Sequence, residues 1–240
     1  MPLHFSFIHP RFGTKAKPLS DSYRERSVYY WWFQYLRRNA DYKATCDGHG
    51  VGPCAALYKD FGDVHAVEFK TWWDAKGPFL FAQPDTPSIQ IVERGQQSSD
   101  GQVRQSLLLD VPLDLPIAHL VKRFKEILAK HHSGKKGHRH HESSQARYPT
   151  GGKIDIGFIK TALQVWDVRQ AEPDKPLWEI ANDFKLGSRL NLLKPDEVNK
   201  RGDPAVIDKK NILAATASRH IRRAKEMIDA TAKGNFPHLT

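Results

Sequence analysis

The chain has 240 residues, 40% of them hydrophobic, which is enough for one large domain or two small ones with real hydrophobic cores. Its 37 Lys+Arg against 27 Asp+Glu give a formal net charge of +10, which favours an anionic partner such as DNA, RNA or a membrane surface. Two cysteines cannot build a disulfide framework. We find no signal peptide and no apolar run near the ~20 residues of a membrane span, so we expect a cytoplasmic protein.

The first part of the chain predicts a compact unit with an aromatic core. Ser27 can cap a helix over residues 28–39, in which six aromatic residues fall within seven consecutive positions. Such a helix must be buried on several sides or lie at an interface between subunits. Arg37 and Arg38 near its end suit the helix dipole. Further predicted elements of this unit are a short helix over 53–58, an aromatic helix over 67–73 and the apolar run 79–81.

Residues 87–130 follow a different pattern, that of a β-hairpin and one helix. Residues 88–93 and 103–111 are two strand-like runs separated by a polar loop. Because a two-stranded hairpin is marginal alone, we expect it to pack against the aromatic unit. A helix then begins at Pro116 and repeats apolar residues at helical spacing. These residues are Ile117, Leu120, Val121, Phe124, Ile127 and Leu128.

Residues 131–152 are predicted to be a flexible linker. The stretch 131–144 has no apolar residue, and it holds five histidines among glycines and cations. These histidines lack the helical spacing and the carboxylate partners typical of metal ligands. Cys46 and Cys54 also lack the repeated short spacing of a zinc site, so we predict neither a metal nor a cofactor. A basic segment that touches phosphates and a plain solvated loop both fit the linker.

The last part of the chain predicts three helices, over 155–169, 176–184 and 208–233. In the last helix, Arg222 lies opposite an apolar stripe, with Arg219 and Arg223 on one flank of the stripe and Lys225 on the other. The stripe covers a sector of about 80° and consists of Leu213, Ala217, Ile221, Ala224 and Ile228.

The net charge lies in the second half of the chain. Residues 121–240 hold 24 Lys+Arg against 14 Asp+Glu, whereas residues 1–120 hold 13 of each. A stripe docks a helix onto a core, and cations beside the stripe then face outward together, where a polyanion can meet them. The alternative is a solvated amphipathic helix whose charges only keep the protein soluble. The concentration of charge in this half favours binding of phosphates.

Residues at both ends of the chain resemble one known family. Residues 158–167, 175–182 and 218–224 are similar to the C-terminal domain of transcriptional regulators on integrative conjugative and phage-like elements of proteobacteria. The RovC-type activators of type VI secretion lie near this group. Residues 32–42 likewise resemble its W-x-F/Y-L-R-R-N-x-D-Y opening. The resemblance covers about half of the chain, and it implies a helix-turn-helix-type domain that binds DNA and controls transcription.

The candidate site is the arginine-rich last helix. A compact helix-turn-helix joins its two helices by a 3–4-residue turn, whereas 24 residues separate Phe184 from Lys209. Either a further short helix lies near 195–200, or the arginine-rich helix is a scaffold and not the reading helix. For phosphate contacts we predict Arg219, Arg222, Arg223 and Lys225, followed by Lys200, Arg201, Lys209 and Lys210.

These patterns together predict a mainly α protein with a small β-hairpin, an α+β fold. The expected parts are an aromatic domain for assembly or partner binding over 1–130, a linker over 131–152 and a basic helical DNA-binding domain over 153–240. We expect a non-enzymatic regulator of transcription that binds double-stranded DNA, as a homo-oligomer and without a membrane partner.

Three alternatives stay open. The first is an RNA- or single-strand-binding protein that stacks bases on Trp and Tyr. The second is a structural protein of a mobile element. The third is a nuclease whose candidate residues are His49 and His65, the linker histidines, and Asp60, Asp63 or Asp74.

Overall fold

The computed structural model describes residues 5, 12–13, 17, 19–83, 107, 109–131, 146–150, 155–200 and 202–237. Helices dominate these residues, so the prediction of a mainly α protein is confirmed. The helices are α1 (Asp21–Arg24), α2 (Val28–Leu36), α3 (Ala40–Asp47), α4 (Ala55–Phe61), α5 (Phe69–Ala75), α6 (Gly77–Phe81), α7 (Ile117–His131), α8 (Ile156–Ala171), α9 (Leu177–Asp183), α10 (Pro195–Val198) and α11 (Pro204–Thr231).

The chain divides into two compact units, one of residues 1–85 with 141–240 and a smaller one of residues 86–140. The smaller unit contains α7, which begins where the sequence predicts and has no buried residue. The predicted hairpin stays a prediction, since 88–93 lies outside the described residues. Of the second run, 107 and 109–111 are described and are not in a strand.

The larger unit is built around α2, and the sequence of α2 explains why. Seven of its nine residues are buried, which is possible only for a helix covered on several sides. Ser27 caps it as predicted, since its Oγ accepts a hydrogen bond from the Tyr29 N–H at 3.2 Å. The helix ends at Leu36 and not at residue 39, because Asn39 caps α3 by accepting from the Tyr42 N–H at 2.9 Å.

The hydrophobic core around α2, which we call the aromatic core, draws residues from both ends of the chain. Its rings pack on one another, as in the stacked pair Trp73 and Phe81 with centroids 5.9 Å apart. The side chains that α8 and α11 add to the aromatic core are Ile159, Ala162, Leu163, Ala224, Met227 and Ile228. Five of the six aromatic side chains of α2 are therefore buried within the chain itself, and Tyr30 is partly buried.

A second core, which we call the α9 core, holds the C-terminal helices together. It lies between α8, α9, α10 and α11 and the loop that follows α9. Partly buried Trp178 and Phe184 pack against it. Its buried residues are Val165, Ile180, Ala181, Leu186, Leu193, Val206, Leu213 and Ala217.

These cores divide the chain differently from the predicted domains 1–130, 131–152 and 153–240. A boundary between residues 130 and 153 would separate α2 from α8 and α11, against which it packs. The end of the predicted linker is also anchored. Tyr148 donates to the Asp60 carboxylate at 2.5 Å, and its N–H donates to the Leu80 carbonyl at 3.0 Å.

The shared aromatic core predicts that a substitution in α11 unfolds the N-terminal helices. Met227 is fully buried, so Met227→Ala should lower the free energy of unfolding by about 2–5 kcal/mol. We would measure urea unfolding by tryptophan fluorescence in a Trp166→Phe/Trp178→Phe background, where every remaining tryptophan lies in the aromatic core. An unchanged midpoint would mean that the first 130 residues fold independently of α11.

Candidate nucleic-acid interface

The predicted site lies on α11, which spans Pro204–Thr231 and is ~42 Å long. The helix begins four residues before the predicted start. Asp203 caps it by accepting from the Ala205 N–H at 3.0 Å, and Pro204 takes the first helical position, where no N–H is needed. The first half of α11 packs against the α9 core and the second half against the aromatic core.

Burial confirms the predicted apolar stripe of α11. Leu213, Ala217, Ala224 and Ile228 are buried, and Ile221 is partly buried against the α9 core. The stripe continues beyond the predicted residues through Val206, Met227 and Thr231. Because these residues share one side of the helix, the opposite side faces solvent along the whole length of α11.

Four predicted cations lie in the second half of α11, and three of them are exposed. Arg219 and Lys225 are exposed and form no ion pair with any other described residue. The Arg222 side chain is 68% exposed, and its Nε lies 3.8 Å from the Glu226 carboxylate. Arg223 is less exposed and donates to that carboxylate at 2.9 Å. Lys233, which was not among the predicted residues, is also exposed and lies in the turn after the end of α11.

Lys209 and Lys210, two of the second choices, contribute to the fold instead. The Lys209 ammonium donates to both oxygens of the Glu197 carboxylate, at 2.8 and 2.9 Å. The Lys210 ammonium donates to the Val198 carbonyl at 3.0 Å and lies 4.4 Å from the centroid of the Trp178 ring. Lys209 thus connects α11 to α10, and Lys210 connects it to α10 and α9. The ammonium groups of both point toward these elements and away from solvent.

The long gap before α11 contains a short helix, which is the first of the two arrangements weighed from the sequence. Residues 184–203 connect α9 to α11 and include α10. The Glu197 side chain accepts from the Lys194 N–H at 2.9 Å and so stabilises the start of α10. Lys200 is exposed and lies 3.5 Å from the Asp196 carboxylate. Arg201 lies outside the described residues.

Sequence reasoning missed the polar contacts that fix α8 to α2. The Arg38 guanidinium donates two hydrogen bonds to the Asp167 carboxylate, at 2.8 and 3.0 Å. Tyr35 donates to the Ile159 carbonyl at 2.9 Å. The signal was present, because Arg38 and Asp167 belong to the two segments that resemble the same family. Assigning Arg38 to the helix dipole overlooked a partner 129 residues away.

A further contact missed from the sequence joins α11 to the start of α3. The Asn39 amide donates to the Ile228 carbonyl at 3.3 Å while its oxygen caps α3. One buried side chain therefore positions the cationic half of α11 against the aromatic core.

Among the residues weighed for a nuclease, Asp63 binds local backbone N–H groups, Asp60 accepts from the Tyr148 hydroxyl, and Asp74 pairs with Lys70. Burial raises the pKa of Asp63, but hydrogen bonds from the His65 and Ala66 N–H groups outweigh it, so that the pKa lies below its ordinary value. Burial lowers the pKa of His65. No group of three or more His, Cys, Asp or Glu side chains that could hold a metal ion occurs among the described residues.

Comparison with known proteins gives no relative from which to assign a role to these residues. No family model matches the chain, and no curated protein or solved structure matches it either. Among the described residues, no helix combines the length and the apolar character needed to cross a membrane.

The Lys209–Glu197 pair predicts a stability effect separate from any effect on binding. The Lys194 N–H and then the Lys209 ammonium hold the pKa of Glu197 below its ordinary value. This stabilisation is present above pH ~4.3, the ordinary pKa of Glu, and is lost as pH falls through the folded-state pKa. Lys209→Ala should therefore lower the melting temperature at pH 7, with a smaller difference from wild type near pH 3. Lys225→Ala, the exposed control, should leave the melting temperature unchanged at both pH values.

The two cysteines predict a simple chemical result. Burial raises the pKa of the Cys46 thiol to about 11 and also raises the pKa of Cys54, so both are neutral thiols at pH 8. Neither should react quickly with Ellman's reagent in the folded protein, and both should react in guanidinium chloride. Rapid release of one equivalent of chromophore without denaturant would contradict the buried placement.

Proposed function

We propose that this chain is a DNA-binding regulator of transcription that holds duplex DNA on the outward face of α11. The observation that carries the proposal is the row of exposed cations Arg219, Arg222 and Lys225 on a helix fixed by two cores, with exposed Lys233 in the turn that follows it. From residue 219 to residue 233 the chain has five cations and two carboxylates. This stretch is ~21 Å long, enough to face several phosphates of a duplex.

The rigidity of α11 supports the proposal as much as its charge does. The helix is packed against other elements along both halves, so its cations keep a fixed spacing before any ligand arrives. Binding then orders only the ends of the arginine and lysine side chains, which reduces the entropy that association costs.

Burial of the four tryptophans in the first half of the chain favours duplex DNA over single strands. A single-strand-binding protein stacks bases on accessible aromatic rings beside a cationic groove. Trp31, Trp32, Trp72 and Trp73 are all buried in the aromatic core, and none is available as a stacking surface. Exposed Arg219, Arg222 and Lys225 instead lie along one helix, which suits contact with the regular phosphates of a duplex.

The regulatory role rests on the resemblance of residues 32–42, 158–167, 175–182 and 218–224 to regulators of mobile elements. Within the larger unit the segments 32–42 and 158–167 come together through the Arg38–Asp167 ion pair. We also propose that the protein acts in the cytoplasm as a homo-oligomer, without enzymatic activity. Since the aromatic residues are buried in the chain, its subunits would meet through another surface.

The test is binding of the full chain to a fluorescent 30-base-pair duplex from upstream of its own gene, measured by anisotropy over a salt series. Arg219→Ala/Arg222→Ala should weaken binding and reduce the slope of log affinity against log salt by about 1.8, as expected for two lost phosphate contacts. Both arginines are exposed, so the fold should be unaffected.

The matched control is Lys59→Ala/Lys76→Ala, which removes the same charge from exposed positions on α4 and after α5. This variant should keep the wild-type salt slope. Equal salt slopes for both double variants would show that α11 is not part of the DNA site. If wild type bound no duplex at low salt, the proposal would be wrong. Tighter binding to an unpaired strand of the same sequence would favour the single-strand alternative.

A further inference from the structure

We infer that the two halves of α11 have different tasks on DNA, and that the exposed face of the first half reads base edges in the major groove. This inference rests on the proposed function and goes beyond it by naming residues that select sequence. The second half would grip phosphates, which fixes position on the duplex but carries little sequence information.

The exposed face of the first half differs in chemistry from that of the second. It displays no cation, because Lys209 and Lys210 are turned inward to Glu197, Val198 and Trp178. The exposed residues of this face are Ile207, Asp208, Asn211, Ile212, Ala215 and Ser218, which include one carboxylate and no cation. At residue 219 the face becomes cationic. A helix that only attracted phosphates would gain from cations on both halves, and here the first half lacks them.

Asn211 is the residue best suited to select a base. Its side chain is exposed and makes no hydrogen bond to any other described residue, so both its donor and its acceptor are available. An asparagine amide can pair with adenine through the N6 and N7 edge, which only the major groove presents. Ala215 lies one turn further along this face, and its small side chain lets the helix approach the bases closely.

Two isoleucines give this face an apolar component that is nearly half exposed. Ile207 and Ile212 are each 46% exposed, although both lie on a helix with a well-filled buried side. Apolar side chains in the major groove contact the C5-methyl group of thymine. Together with Asn211 they make A·T pairs the expected target of this face.

The length of α11 fits this division. Residues 207–218 span ~16 Å of helix, about the rise of five base pairs, and a major groove ~12 Å wide admits one α-helix. Arg219 and Arg222 follow directly, at the point where a helix leaving the groove meets the phosphate backbone. The base-reading face and the phosphate grip therefore succeed one another along one rigid helix.

The experiment selects duplexes bound by the full chain from a library with 20 randomised base pairs and sequences the bound pool. Three variants accompany wild type: Asn211→Ala, Arg219→Ala and Asn235→Ala. The last is the matched control, an exposed asparagine beyond the end of α11. Circular dichroism melting verifies that all four proteins are folded. Competition titrations with the selected duplex and single-base variants of it give the discrimination at each position.

Wild type should enrich a motif that contains A·T pairs. Asn211→Ala should lose about 5- to 150-fold discrimination at one or two neighbouring positions, while Arg219→Ala binds every duplex more weakly with an unchanged motif. Asn235→Ala should match wild type. An unchanged motif for Asn211→Ala, or a wild type that binds duplexes without enriching any motif, would overturn the inference and leave the proposed function intact. A wild type that binds no duplex at all would overturn both.

Discussion

The burial of α2 on several sides is the constraint on which the rest of the structure depends. A helix with aromatic rings all around it cannot be covered by one neighbour, so elements from the far end of the chain must pack on it. Those elements are α8 and α11, and polar contacts from Tyr35, Arg38 and Asn39 fix where they lie. The N-terminal part is thus a component of the same core that positions α11.

Because both ends of the chain contribute to one core, the positions of the cations in the second half are fixed by packing. The cations of α11 lie on a helix that two cores hold, and the helix cannot turn about its axis without exposing Leu213 or Met227. Each cation therefore has a fixed assignment. Lys209 and Lys210 hold neighbouring elements together, whereas Arg219, Arg222 and Lys225 face outward. The net charge of the second half does not show which cations hold neighbouring elements together and which face outward.

Sequence patterns correctly predicted the features that depend on residues close together in the chain. The Ser27 cap and the stripe from Leu213 to Ile228 follow from capping and periodicity, and both are present. The predicted end of α2 at residue 39 was wrong. Asn39 caps the next helix, so α2 ends before the apolar run suggests.

The packing that joins the two ends of the chain and the pairing of Lys209 depend on contacts between residues that are distant in sequence. Arg38 and Asp167 are 129 residues apart, and Lys209 meets Glu197 only after α10 has folded onto α11. The spacing of residues along the chain does not predict such contacts. For the same reason the candidate site could be located on α11 from the sequence, while the separation of outward from inward cations required the structure.

The composition of the aromatic core from both ends of the chain sets an order of events during synthesis. About 190 residues separate α2 from the end of α11, which a ribosome adds in ~10–40 s at 5–20 residues per second. Until α11 is synthesised, α2 lacks the part of its cover that Ala224, Met227 and Ile228 supply. The nascent chain therefore offers apolar surface to chaperones until its last helix emerges, and a messenger truncated before α11 yields a product for proteolysis rather than a working N-terminal domain.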